Sequence, residues 1–231
     1  WDKAQILNSQ AEILEKLISF DTTSNKSNLE LVNYICDYLS IHKIETSKIY
    51  NDDKSKTSIY YTIGDRKLPG LVLSAHTDTV PADKDQWSYN PYKLKIQDKK
   101  YYGRGTSDMK GFISLVLAIT PWVISKSFDK PLHVALSYDE EVGCLGVGPL
   151  IEIMKNDICP PELVIVGEPT DLKIINQHKI MRKLIKLKVI YLVLFVVFSS
   201  QSFADNNILP KPKPVVDKEI KSKTAKKKEI Y

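Results

Sequence analysis

The amino-acid sequence predicts an α/β fold, in which a mostly parallel β-sheet is flanked by helices. Short apolar runs, typical of buried strands, alternate along residues 1–179 with segments whose apolar residues recur at helical spacing. The 231 residues are 43% hydrophobic and 26% charged, which are ordinary values for a soluble globular protein. This composition excludes whole-chain disorder and a polytopic membrane protein.

The predicted helices and strands follow one another in chain order. Residues 4–20 place apolar side chains on one helical stripe, and residues 27–30 (SNLE) predict a capping box that opens a second helix. Residues 110–124 predict a helix whose end is disturbed by Pro121, and residues 147–155 predict another helix. Short apolar runs predict buried strands at residues 58–63, 71–75, 132–138 and 163–166.

The charge balance changes near residue 180. Residues 1–179 hold 21 Lys and Arg against 24 Asp and Glu, whereas residues 180–231 hold 12 against 4. A mildly acidic body with a basic tail does not point to nucleic acid, so no nucleic-acid partner is expected.

The segment 180–204 resembles a secretory signal peptide. Four cations precede an unbroken apolar run at residues 189–198, and small residues stand at Ser202 and Ala204. The run is short for a membrane-spanning helix, which needs about 20 residues. A tail anchor and a buried core helix followed by a loop are the alternatives. Residues 205–231 are rich in Lys and Pro and are predicted to be disordered.

A signal-like segment that begins inside the chain, at Met181, favours the interpretation that two reading frames have been joined. On this interpretation residues 1–179 form one compact cytoplasmic unit, and the tail is unrelated to it. Contact with a membrane is then expected only through residues 189–198.

Histidine and carboxylate side chains follow the predicted strands. His76 and Asp78 come directly after the strand 71–75, and residues two apart in extended chain point to the same side. His76 can therefore bind a metal ion while Asp78 holds the other ring nitrogen. A plain surface loop is the alternative.

Two further motifs each present one carboxylate. Residues 103–111 (GRGTSDMKG) place Asp108 just before a predicted helix, where an N-capping aspartate is the alternative. Residues 167–169 (GEP) place Glu168 just after the strand 163–166. Sites in open α/β sheets lie beyond the carboxyl ends of the strands, so these side chains are expected to meet.

Three adjacent acidic residues, 139–141, follow the strand 132–138. Like charges repel unless a cation gathers them, so Glu140 and Glu141 are candidates for metal binding and proton transfer. A solvated acidic turn is the alternative. The three cysteines are odd in number and form no C-x-x-C pair, which argues against a zinc ribbon. Carboxylates and imidazole without thiolate suit a hydrolytic divalent-metal site.

Four stretches, in this order, resemble the M20 family of zinc amidohydrolases and peptidases. They are residues 73–81 (LSAHTDTVP), 103–111, 137–146 (SYDEEVGCLG) and 166–170 (VGEPT). The resemblance identifies residues 1–179 as the N-terminal part of an M20-type catalytic domain. Within the family, DMKGF and SYDEEVGCLG are most similar to acetylornithine deacetylases. Succinyl-diaminopimelate desuccinylases, aminoacylases and peptidases are the alternatives.

The resemblance implies a site with two zinc ions, in which cobalt can replace zinc. Asp108 would bridge the two ions, Glu140 would be the general base, and Asp78 would orient a ligand. The implied metal ligands are His76, Asp108, Glu141 and Glu168. The implied substrate is a small N-acyl amino acid, first of all N-acetylornithine, which arginine biosynthesis converts to ornithine and acetate.

The resemblance also implies parts that are not recognisable in this chain. Family members carry a lid or dimerisation domain, through which they often form homodimers, and a last histidine ligand. The chain is therefore expected to be truncated and inactive. A non-catalytic metal-binding fragment and the start of an exported protein are the alternative classes. His42, His133 and His178 are expected to be structural.

Overall fold

The computed structural model describes residues 2–171, 173 and 175. These residues form a five-stranded sheet with helices on both faces and a separate two-stranded hairpin. The helices are α1 (Lys3–Ser19), α2 (Leu29–Ile41), α3 (Lys110–Ser125) and α4 (Val147–Asp157). The strands are β1 (Thr46–Tyr50), β2 (Thr57–Ile63), β3 (Leu71–His76), β4 (Lys95–Gln97), β5 (Lys100–Tyr102), β6 (Leu132–Ser137) and β7 (Leu163–Val166).

The large sheet has the strand order β1-β2-β6-β3-β7. Strand β3 pairs in parallel with both β6 and β7, so the carboxyl ends of these three strands meet at one edge. The predicted α/β class is confirmed, and the predicted parallel pairing holds for these strands. Strands β1 and β2 pair antiparallel and make the sheet mixed. The six residues between β1 and β2 are too few for the crossover that a parallel pair needs.

The core has two layers because side chains alternate across the sheet. Leu73, Val134 and Ile165 face the cluster formed by α1, α2 and α3. Their chain neighbours Val72, Ala135 and Val164 face the cluster formed by α4. The central strands are thus covered on both sides, and their ends are held in a fixed arrangement.

The predicted capping box at residues 27–30 is wrong. Helix α2 begins after Asn28, whose side chain makes no capping hydrogen bond. Its amide group instead pairs with the backbone N–H and carbonyl of Thr57, at 3.0 and 2.9 Å, and donates to the hydroxyl of Thr77 at 2.9 Å. A capping box does occur at α1, where Asp2 and Gln5 exchange hydrogen bonds.

The predictions for the tail fall outside the described residues, namely the boundary after residue 179, the signal-like segment 180–204 and the disordered tail 205–231. Among the residues that the structure describes, no helix combines the length and the apolar character needed to cross a membrane.

Candidate metal centre

The carboxyl edge of the sheet brings the predicted site residues together. His76 ends β3, and Asp108 stands two residues before α3. The ligand atoms of His76, Asp108 and Glu168 lie within 4.8 Å of one another. A second group, formed by His76 with Glu140 and Glu141, meets the same limit. The structure therefore brings these side chains to one place, with His76 shared by both groups.

Each ring nitrogen of His76 has a different environment. The side chain is fully buried, and Nε2 lies 2.9 Å from Oδ1 of Asp108 and 3.8 Å from Oε1 of Glu168. Nδ1 lies 2.9 Å from the backbone oxygen of Asp78 and 3.4 Å from its Oδ1. Because a carbonyl oxygen only accepts hydrogen bonds, Nδ1 carries a proton whether or not the ring is charged, and Nε2 is the nitrogen that faces the carboxylates.

The prediction assigned the contact with His76 to the carboxylate of Asp78, and the structure gives the closer contact to the backbone oxygen. The Asp78 carboxylate instead accepts hydrogen bonds from the backbone N–H groups of Glu140, at 3.0 Å, and Glu141, at 3.3 Å. It also accepts one from the hydroxyl of Ser24 at 2.7 Å. Asp78 therefore anchors the turn that carries the two glutamates.

The turn after β6 is folded tightly on itself. The carbonyl of Glu140 accepts hydrogen bonds from the backbone N–H groups of Gly143 and Cys144, both at 3.1 Å. Asp139 adopts a left-handed conformation with φ of 55°. Glu140 is buried, and its Oε1 lies 3.5 Å from the thiol sulfur of Cys144. Glu141 is half-buried, so the two neighbouring carboxylates have different environments.

The electrostatics of the cluster favour a cation. Burial opposes the charged form of His76, but hydrogen bonds to Asp108 and Asp78 outweigh it and raise the pKa of His76 to about 11. Burial raises the pKa of Glu168 to about 7. The positive charge of His76 opposes this shift, and the negative charges of Asp108, Glu140 and Glu141 add to it. Burial and the charge of Asp108 also raise the pKa of Glu141.

The donor set fits the zinc ions that the family resemblance implies. Among the residues that the structure describes, one imidazole and several carboxylates converge without a cysteine ligand, which is a donor set for a hydrolytic divalent ion. The carboxylates hold more negative charge than one protonated imidazole balances, and a divalent cation supplies the missing positive charge.

Two lysines near the site, one half-buried and one buried, were not recognised from the sequence. Lys56 Nζ donates to both carboxylate oxygens of Asp139, at 2.7 and 2.8 Å. Lys110, the first residue of α3, is fully enclosed, and its Nζ donates to the carbonyl of Phe20 at 2.7 Å. Burial lowers the pKa of Lys110 to about 7, although the charge of Asp21 acts in the opposite direction.

The other described histidines do not join the cluster. His133 lies near the start of β6, at the opposite end of that strand, and its Nδ1 lies 2.9 Å from the hydroxyl of Thr62. Burial and the charge of Arg66 lower its pKa to about 4, although Asp157 opposes the shift. His42 caps the end of α2. His178 lies outside the described residues.

Known proteins share this sequence pattern. A family described as peptidase family M20/M25/M40 matches residues 72–218. An acetylornithine deacetylase of Pasteurella multocida (strain Pm70) is 36% identical over 162 residues, which are 70% of this chain and 41% of that protein. An acetylornithine deacetylase of Buchnera aphidicola subsp. Acyrthosiphon pisum (strain Tuc7) is 32% identical over 174 residues, 73% of this chain and 45% of that protein. The chain thus spans less than half the length of these relatives.

Solved structures share the fold. An M20 family metallo-carboxypeptidase from Sulfolobus solfataricus superposes with a TM-score of 0.60 at 20% identity, over 72% of this chain and 37% of that chain. Human carnosine dipeptidase 1 superposes with a TM-score of 0.59 at 18% identity, over 71% of this chain and 39% of that chain. The family match covers more than half of the sequence, and this chain therefore belongs to the M20/M25/M40 family of peptidases.

Proposed function

We propose that this chain carries the metal-binding and proton-transfer groups of a metal-dependent amidohydrolase for N-acyl amino acids, with N-acetylornithine as the first candidate substrate. The convergence of His76 with four carboxylates at one edge of the sheet carries the proposal. The similarity to proteins named acetylornithine deacetylase supports the choice of substrate.

The five side chains divide into ligands and a base. Asp108 would bridge two ions, with His76 and Glu168 on one of them and Glu141 on the other. Two zinc ions, or cobalt in their place, would polarise the scissile carbonyl and lower the pKa of a bound water. The buried ring of His76 is already oriented for this role by the backbone oxygen of Asp78.

Glu140 would act as the general base. Its carboxylate would take a proton from the attacking water, whose oxygen bonds to the acyl carbon, and would return that proton to the leaving nitrogen as the amide bond breaks. The products from N-acetylornithine are acetate and ornithine. Glu140 suits this role because it is buried and its backbone is held by Asp78.

We also propose that the 231-residue chain turns over slowly by itself. The family resemblance implies a further histidine ligand on the ion held by Glu141. Among the described residues, neither His42 nor His133 reaches the cluster. The same observation favours the alternative class, a metal-binding chain without turnover.

A substitution of the proposed base tests the function. Zinc binding is measured by titration calorimetry, and hydrolysis is measured with N-acetylornithine, N-succinyl-diaminopimelate, other N-acyl amino acids and dipeptides. Glu140→Gln should keep the zinc stoichiometry and lower the residual rate by about 10²–10⁴-fold, because proton transfer is lost. His76→Ala should abolish tight zinc binding. Glu162→Gln, at an exposed carboxylate, is the control and should change neither quantity.

The outcomes separate the alternatives. Hydrolysis of N-acetylornithine above the other substrates supports the deacetylase assignment. Zinc binding without hydrolysis of any substrate supports the non-catalytic class. Unchanged zinc binding in His76→Ala would refute the metal centre, and an unchanged rate in Glu140→Gln would refute the assignment of the base.

A further inference from the structure

A closed ring of hydrogen bonds lies behind the turn that carries Glu140. Lys56 Nζ donates to both carboxylate oxygens of Asp139 and to the backbone oxygen of Ser24, the last at 2.5 Å. The hydroxyl of Ser24 donates to Oδ2 of Asp78, and Oδ1 of Asp78 accepts the backbone N–H of Glu140. Because Asp139 and Glu140 are consecutive, the chain itself completes the ring.

The ring joins segments that are far apart in the sequence. Lys56 immediately precedes β2, Ser24 lies between α1 and α2, and Asp78 follows β3. Asp139 follows β6, which pairs with both β2 and β3. The ring therefore fixes the direction in which the chain leaves β6, and this direction decides where the next two side chains point.

The ion pair in this ring is shielded from solvent. The side chains of Lys56 and Asp139 are only 15% and 8% exposed. Removing one partner of such a pair leaves the other charge buried and uncompensated, which is strongly unfavourable. Asp139 also adopts the left-handed conformation, which glycine, asparagine and aspartate adopt more readily than other residues, and the ion pair holds its side chain in place there.

We infer that Lys56 is a positioning residue, which holds Asp139 and thereby keeps the carboxylates of Glu140 and Glu141 directed towards His76. The inference rests on the proposed function, because the two carboxylates that Lys56 positions are the proposed base and a proposed metal ligand. Within the ring, Lys56 donates to neither of these carboxylates. It acts through Asp139 and through the backbone that Asp78 anchors.

The test compares Lys56→Met, Lys56→Arg and Lys130→Met in the full chain. Lys130 forms a similarly short ion pair with Glu162 on the exposed surface, so Lys130→Met is a matched control. The first measurement is hydrogen exchange of the backbone N–H groups of Glu140 and Glu141 in the metal-free protein. The second measurement is zinc affinity.

Lys56→Met should speed exchange at both amides about tenfold or more, because the turn loses a charge-assisted hydrogen bond. It should weaken zinc binding about 10- to 100-fold, which is typical when a residue that supports a metal ligand is removed. Lys56→Arg keeps the positive charge and can donate to both carboxylate oxygens of Asp139, so it should recover most of the loss in both quantities. Lys130→Met should change neither.

Unchanged exchange and unchanged zinc affinity in Lys56→Met would overturn the inference. If Lys56→Met does not fold, Asp139→Asn removes the same ion pair and must give the same two changes, or the inference fails. If the unsubstituted chain binds no zinc, the proposed function fails, and exchange in the metal-free protein still decides whether Lys56 positions the turn.

Discussion

Replacing the buried Lys110 by methionine should change how stability depends on pH. The side chain is fully enclosed, and burial lowers its pKa from the ordinary 10.5 to about 7. Between these values the unfolded chain holds a proton that the folded chain has lost, so the free energy of unfolding rises as the pH rises. Between pH 7 and pH 9 this effect amounts to about 2 kcal/mol.

The measurement is urea unfolding, followed by circular dichroism at pH 7, 8 and 9 in the presence of a chelator. Lys110→Met also loses the hydrogen bond from Nζ to the carbonyl of Phe20. Both the charged and the neutral amine can donate that bond. Its loss therefore lowers the free energy of unfolding by a similar amount at every pH, and the change of this free energy with pH reports on the titration of Lys110. From pH 7 to pH 9, the free energy of unfolding of the unsubstituted chain should rise by about 2 kcal/mol more than that of Lys110→Met. Parallel pH profiles for the two proteins would refute the reasoning.

Three further substitutions probe other parts of the fold. The pKa of His133 is lowered to about 4, so the stability that its neutral form supplies is complete above pH 6.5 and is lost as the pH falls towards 4. Unfolding measured at pH 7 and pH 5 should show a loss of about 2 kcal/mol that is absent in His133→Gln, and an equal loss in both proteins would contradict this. Gly111→Ala would bring a Cβ atom to 2.2 Å from the carbonyl oxygen of Thr106 and should destabilise the chain by about 1–3 kcal/mol. Gly148→Ala has no atom within 4 Å of the new Cβ and should stabilise α4 by about 0.5–1 kcal/mol, so equal thermal midpoints in the two alanine variants would count against this explanation.

Sequence patterns were sufficient for the strands that carry the site. Apolar runs followed by a histidine or a carboxylate mark the ends of β3, β6 and β7, and parallel pairing brings those ends to one edge. The bounds of β7 agree with the prediction because both neighbours of the run are polar or turn-forming residues.

Strands β1 and β4–β5 were missed for a physical reason. Strand β1 lies at the edge of the sheet and has no fully buried residue, and β4 is exposed along its whole length. Such strands do not show the alternation of apolar and polar residues that one buried face imposes.

Contacts around the site could not be predicted because they depend on tertiary placement. Lys56 and Asp139 are 83 residues apart in the chain, and Asp78 and Glu140 are 62 apart. Asn28 has the residue type of a helix cap but satisfies the backbone at the start of β2 instead. A local pattern cannot distinguish these uses, since both offer the amide group suitable partners.

The place of β6 between β2 and β3 has a consequence for synthesis on the ribosome. Strands β2 and β3 leave the exit tunnel before β6, yet they do not pair with each other in the finished sheet. The edges of β2 and β3 that face each other can be paired only after residues 132–137 have been synthesised. This strand, β6, then lies between them, antiparallel to β2 and parallel to β3. Until then each nascent chain exposes the edges of β2 and β3 that β6 later covers, and such edges are the kind of surface that holdase chaperones shield from aggregation.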